Sequence, residues 1–172
     1  MGRTIHSARG NIRATFFIIG IGHYTDLTTT FLPLTAAGIP RVLRYMAQLY
    51  ESGGYDEERQ RRALERLLDA PDYGSAWLIH ADGQPAGYLV LTVCYSLEFH
   101  GPYALVDELF VEDIWRGQKI GTQSLAFAEE WARRRGFRAL RLEVGDSNPG
   151  ALRLYRRYGF DAPDRHLLSK AL

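Results

Sequence analysis

Asp107-Glu108-Leu109-Phe110-Val111-Glu112-Asp113-Ile114-Trp115-Arg116-Gly117-Gln118-Lys119-Ile120-Gly121-Thr122 is the stretch whose reading decides the fold. Its first part ends a β-rich run over 103–111. Its second part carries Gly117 and Gly121 and opens a helix on which Leu125, Ala128, Glu129 and Ala132 recur at helical spacing. A strand therefore runs into a tight, glycine-bearing loop at a helix start. Backbone N–H groups at such a start lack helical partners and point outward, so they can hold a pyrophosphate. Arg116 adds a charge and a bidentate donor at the loop's entrance. Taken alone, the loop is equally well an ordinary strand-to-helix turn. It contains neither the G-x-x-x-x-G-K-[ST] of a nucleotide-phosphate loop nor the G-x-G-x-x-G of a dinucleotide fold.

A second segment lies downstream, Asn148-Pro149-Gly150-Ala151-Leu152-Arg153-Leu154-Tyr155-Arg156-Arg157-Tyr158-Gly159-Phe160. Asn148 is a good N-cap, and Pro149 stands at the first helical position, where its missing N–H costs nothing. Asn148, Ala151, Leu152 and Tyr155 share one helical face, which would hold a phenol at a fixed height above the strand ends. The competing reading makes Tyr155 a core residue with its hydroxyl at the rim.

Working outward, residues 30–35 form a short β-type run. Pro40 suits a first helical turn, with Val42, Leu43, Met46, Leu49 and Tyr50 following at helical spacing. Asp56 begins a second helix, with Ala63, Leu64, Leu67 and Leu68 on its apolar face and Pro71 closing it. Residues 76–80 and 86–95 are β-rich and joined at Asp82-Gly83, a hairpin signal. His100-Gly101-Pro102 turns into the strand 103–111. Residues 137–144 read as a strand, and 166–171 as a last one. The order is β-α-α-β-β-β-α-β-α-β, a mixed α/β sheet with a meander in its middle.

The 172 residues fit one domain, with 46% hydrophobic and 24% charged residues and a net charge of +1. That balance gives no global pull toward nucleic acid or an anionic membrane. Arg133-Arg134-Arg135 falls at a helix C-terminus, where cations favour the dipole. Cys94 is the only cysteine and sits in an apolar strand. His6, His23, His80, His100 and His166 are isolated, so no metal is expected. Residues 1–27 read as an extension before a domain at 28–172. They contain Arg3, Arg9 and Arg13 ahead of the apolar run 16–21, which is too short to span a membrane. No clean cleavage site follows it, so the default compartment is the cytoplasm.

Together the two segments resemble the GNAT (Gcn5-related N-acetyltransferase) superfamily, from about Thr30 onward. The family's acyl-CoA loop, R/Q-x-x-G-x-G/A, is matched by Arg116-Gly117-Gln118-Lys119-Ile120-Gly121, with Lys119 where glycine is usual. Its N-x-x-A-x-x-x-Y-x-x-x-G-F pattern is matched without a break by residues 148–160. The resemblance implies a mixed, mostly antiparallel central sheet flanked by helices, with two central strands splayed into an acyl-CoA cleft. It implies acetyl-CoA as cosubstrate, with pantetheine along Leu109, Phe110 and Val111. The pyrophosphate would meet the loop from Gln118 through Lys119, Ile120 and Gly121 to Thr122, with Asn148 and Tyr155 completing the site. An amine would attack the thioester directly, with Tyr155 protonating the departing thiolate.

The family's spermidine/spermine acetyltransferases carry two acids before a similar aromatic-Val ending, and Asp-Glu-Leu-Phe-Val looks like theirs. By that match Asp107 takes the base position. Strand alternation puts Leu105, Asp107, Leu109 and Val111 on one face and Val106, Glu108 and Phe110 on the other. The alternative is that one of these carboxylates only pairs with an arginine. Tyr50, Glu51, Tyr55, Tyr95 and Glu98 lie where family members line the acceptor pocket, and such residues suit a cationic amine. The expected partner is a small-molecule amine. A protein or peptide amine, or a non-catalytic acyl-CoA sensor, are the other readings. A homodimer is common in the family.

Overall fold

The computed structural model describes residues 27–50, 54–162 and 167–170. Strand β1 (Thr29–Pro33) leads through a 3-10 turn to helices α1 (Ile39–Leu49) and α2 (Glu57–Asp69). Strands β2 (Gly74–Ala81), β3 (Gln84–Ser96) and β4 (Gly101–Val111) follow, then α3 (Ile120–Arg134), β5 (Leu140–Leu142) and α4 (Pro149–Tyr158). The five strands lie in sequence order, antiparallel except for the parallel β4–β5 pair. The extension 1–27 falls outside the described residues except for Leu27. Leu27 packs on the core.

Each element has a local cause. Pro40 sits in the first turn of α1, which buries Ile39, Val42, Leu43, Tyr45 and Met46 on one face. Asp56 caps α2 by accepting from the Arg59 N–H at 3.1 Å, with Glu57 and Glu58 favouring the positive helix end. Asp82 and Gly83 have φ of 47° and 77°, the left-handed pair that a two-residue hairpin between right-twisted strands requires.

The sheet has a helical layer on each face. One core joins Trp77, Ile79, Leu89, Leu91, Ala104 and Val106 to Ile120, Ala128, Trp131 and Ala132 of α3. The other joins Ala76, Tyr88, Val90 and Phe110 to α1 and to Leu64 of α2.

The C-terminal part is shorter in strands than the sequence suggests. The strand expected over 137–144 contracts to Leu140–Leu142, which pairs with Ala104–Val106 and stops there. Beyond Leu142 the chain parts from β4, and a strand without a partner has no ladder to join. No strand forms over 167–170, while His166 and Ala171 lie outside the described residues.

Candidate active site

The register of β3 against β4 slips at one point. Val90 faces Glu108 and Leu91 faces Val106, which leaves Asp107 as an extra residue, a β-bulge. The bulge reverses the simple alternation expected from sequence. Val106 packs on the same core as Leu109 and Val111, whereas Phe110 packs on the α1 side. Glu108 reaches that same α1 side, where it meets Tyr50 and Tyr88. An inserted residue shifts a period-two pattern by one, so a face assignment carried through position 107 fails.

The bulge is also where β4 and β5 separate, since their last paired residues are Val106 and Leu142. Past that point β4 has only β3 beside it among the described residues. The Glu112 N–H donates to the Ala86 carbonyl at 2.9 Å. Ladder alternation in an antiparallel pair then turns the peptide groups of Leu109 and Val111 away from β3, toward the opening. These are the backbone groups an extended ligand could pair with as an added half-strand.

The loop after β4 ends at this opening. The Gln123 N–H makes a helical bond to the Lys119 carbonyl at 3.0 Å. The amides of Ile120, Gly121 and Thr122 are thereby left at the positive end of α3 without intrahelical partners. Arg116 does not project as a free phosphate donor. Its Nε donates to the Val111 carbonyl at 3.0 Å, and its Nη2 pairs with Asp113 at 2.8 Å. Gln118 donates to the Ile114 carbonyl at 3.1 Å. Both side chains brace the loop, which leaves anion binding to its backbone.

Gly121 and Lys119 of the loop pattern answer to different physical causes. Gly121 marks a close packing of α3 on α4, since a Cβ there would lie 2.8 Å from Leu154 Cδ2 and that side chain would have to turn aside. Lys119 caps α3 with φ of 64°, so a β-carbon occupies a left-handed position. Lys119→Gly should relieve about 1 kcal/mol of that strain and raise Tm by about 2–4 °C. If the ammonium also meets a phosphate, the same variant binds CoA more weakly at low salt than at high salt, which calorimetry at two ionic strengths reads.

Helix α4 packs beside the start of α3, with Leu154 against Gly121, and Tyr155 is the next residue along it. The Asn148 side chain accepts from the Ala151 N–H at 3.0 Å, as its capping role requires. Gly159, with φ of 111°, closes the helix while the Phe160 N–H returns to the Tyr155 carbonyl. Tyr155 is half-buried and packs edge-on to Phe160 at 6.0 Å, and burial raises its phenol above the ordinary value.

The acids and the acceptor candidates sort into two places. Glu108 accepts from Tyr50 at 2.5 Å and from Tyr88 at 2.9 Å. Burial raises its carboxyl, the two phenols pull it back down, and the neighbouring Asp107 raises it again. The Asp107 carboxyl is raised by desolvation and then by Glu143, which follows β5 across the opening. Tyr55 spends its hydroxyl on the Leu43 carbonyl at 2.9 Å and serves the α1–α2 packing. Tyr95, 73% exposed, pairs with Pro102 near the far end of the β3–β4 hairpin, and exposed Glu98 lies beyond it. Tyr95 is five residues along β3 from Val90, about 17 Å away at strand rise, so neither joins the carboxylates. Glu51 lies outside the described residues.

Tyr88 and Glu143 complete the cluster and were not singled out from sequence. Tyr88 lies two residues along β3 from the partner of Glu108, a diagonal cross-strand neighbour. Among the described residues no group of three or more His, Cys, Asp and Glu is arranged to hold a metal ion. No helix among them is long and apolar enough to cross a membrane.

The chain belongs to the acetyltransferase (GNAT) family, whose model matches residues 41–160. It is 35% identical over 117 residues to an IAA acetyltransferase of Azospirillum brasilense, covering 68% of this chain and 70% of that one. It is 30% identical over 108 residues to an uncharacterised N-acetyltransferase of Methanocaldococcus jannaschii, covering 62% of this chain but 48% of that protein. It thus spans about half the length of that relative, or less than half in the case of an acetyltransferase of Agrobacterium fabrum. The fold superposes with a TM-score of 0.71 on an aminoglycoside N-acetyltransferase crystallised with CoA, at 17% identity, covering 90% of this chain and 99% of that one.

Proposed function

We propose that this chain transfers an acetyl group from acetyl-CoA directly to a primary amine of a small acceptor. The observation that carries this reading is the opening between β4 and β5 at the Asp107 bulge, set beside the bare amides of α3. The pyrophosphate would rest on the amides of residues 120–122, and the pantetheine would pair with the outward peptide groups of Leu109 and with the Val111 N–H, the Val111 carbonyl being held by Arg116. The amine nitrogen attacks the thioester carbon, and the carbon–sulfur bond breaks. Tyr155 gives its proton to the leaving thiolate, and Asp107 takes a proton from the nitrogen. A carboxyl whose pKa is raised toward neutrality is a better base than an ordinary aspartate. That a solved neighbour is an aminoglycoside N-acetyltransferase with CoA supports the cosubstrate and a small amine acceptor.

The test is thiol release from acetyl-CoA across polyamines, aminoglycosides, amino acids and peptides. Turnover of peptides alone would replace the small-acceptor reading, and release with none would remove the catalytic one. Asp107→Asn should lose most turnover near neutral pH and recover part of it at high pH, where the free amine is already neutral.

The same variant carries a stability prediction of opposite sense. The folded Asp107 pKa lies above the unfolded one, so the native state binds more protons in the window between them. Stability contributed by this group therefore falls as pH rises through that window and stays low above it. Asp107→Asn should raise Tm at pH 7 relative to wild type, and the difference should vanish below the ordinary aspartate range. An equal Tm at both pH values would mean that Asp107 is not perturbed in the fold.

A further inference from the structure

The acyl-transfer reading needs one carboxylate as a base, yet the bulge presents two, and their surroundings differ. Asp107 is the more open of the two, whereas both oxygens of Glu108 accept phenolic hydrogen bonds. A carboxylate whose two oxygens each accept from a phenol is fixed in direction, with both oxygens already committed as acceptors. It is suited to holding a cation rather than to taking a proton. The attacking nitrogen cannot be that cation, because it must be neutral when it attacks.

The two phenols are also unequal. Tyr88 is 1% exposed in β3, with Tyr45 and Phe110 stacked at 6.1 and 6.0 Å from its ring. Tyr50 is half-buried and is the cap residue that ends α1. Tyr88 is thus locked by packing, and Tyr50, at the rim of the same core, is the less enclosed of the two partners. Glu143 and Asp107 add negative charge around the opening, and the charge felt by each of the two bulge carboxyls is that of another carboxylate.

We propose, on the acyl-transfer reading above, that Glu108 anchors a second cationic group of the acceptor, and that the Tyr50 hydroxyl holds that cation's place until the acceptor arrives. The acceptor is then a small molecule with at least two basic nitrogens. One is deprotonated at Asp107 and acetylated, and the other donates to Glu108 where Tyr50 donates now. The two residues are adjacent at the bulge and the Asp107 charge is felt at Glu108, so a short diamine is the acceptor to try first. Tyr50 and Tyr88 act here as positioning residues, through Glu108.

The two tyrosines should respond in opposite directions. In Tyr50→Phe the outer oxygen of Glu108 is vacant, so a diamine no longer has to displace a phenol. In Tyr88→Phe the inner oxygen loses a partner that no acceptor can replace, and the anchor weakens. The probes are 1,4-diaminobutane and n-butylamine, titrated calorimetrically into the protein saturated with CoA and assayed in parallel for thiol release from acetyl-CoA.

Wild type should bind the diamine at least about tenfold more tightly than the monoamine. Tyr50→Phe should tighten diamine binding several-fold and lower its KM, and Tyr88→Phe should weaken binding by a similar factor. Glu108→Gln should bring the two probes to equal affinity. Equal binding of both probes by wild type, a diamine preference that survives in Glu108→Gln, or equal weakening in both tyrosine variants would each overturn the proposal. Diamine binding with the expected pattern but without thiol release would keep the anchor and remove the catalytic reading.

Discussion

Tyr155→Phe is expected to lower kcat by about 10²–10⁴-fold, the usual worth of a general acid, with little change in acetyl-CoA affinity. The substitution removes one oxygen and keeps the ring, so the edge-on contact with Phe160 at 6.0 Å survives. Position is fixed from both ends of α4, by the Asn148 cap at its start and the left-handed Gly159 at its finish. Burial holds the phenol above its ordinary pKa, so the hydroxyl stays protonated at neutral pH and is available as a donor. A group titrating that high adds no basic limb to the rate profile near neutrality. Any limb seen there belongs to the amine or to Asp107. Single-turnover rates with saturating acetyl-CoA make the comparison. Full activity in Tyr155→Phe would reduce the ring to packing and assign the proton to water.

How much of this was legible in the sequence depends on whether the cause was local. The α4 cap, the Asp82-Gly83 hairpin and the α2 start each rest on residues within one or two turns of each other, and each formed where expected. The loop from 116 to 122 was legible as a helix start, but its side chains were not. Arg116 and Gln118 turn back onto Val111 and Ile114 because carbonyls five and four residues away offer nearer acceptors than solvent. The role of Gly121 depends on Leu154, more than thirty residues further on, and spacing alone cannot show such a contact. The bulge at Asp107 is the clearest case. Nothing in Val-Asp-Glu-Leu marks an inserted residue, since a bulge is a mismatch between two strands rather than a property of one. With it went the face assignment of Val106 and the partnership of Glu108 with Tyr88. The strand expected over 137–144 met the same limit, because its length is set by where β4 leaves it.

Gly87→Ala should destabilise the fold by about 3 kcal/mol or more, at or beyond the upper end of ordinary overpacking, and it should weaken CoA binding as well. Gly87 lies opposite Val111 in the β3–β4 ladder. A Cβ added there would fall 2.0 Å from the Phe110 carbonyl oxygen, 3.0 Å from its carbon and 3.1 Å from Val111 Cα. All three are backbone atoms, so no rotamer change relieves the contact and β4 itself has to move. For a chain of this length each kcal/mol shifts Tm by about 2–4 °C, so a fall of about 6–12 °C is expected. The displaced segment carries the outward peptide groups of Leu109 and Val111, which ties this stability defect to the proposed pantetheine site. Gly83→Ala is the control. Gly83 has φ of 77° and open space around its Cβ position, so that variant should cost about 1 kcal/mol through backbone strain alone and leave CoA affinity intact. Thermal melts and CoA calorimetry on the two variants separate the effects. A Gly87→Ala protein that melts and binds like wild type would show that β3 and β4 stand further apart than described, and the opening beside them would have to be redrawn.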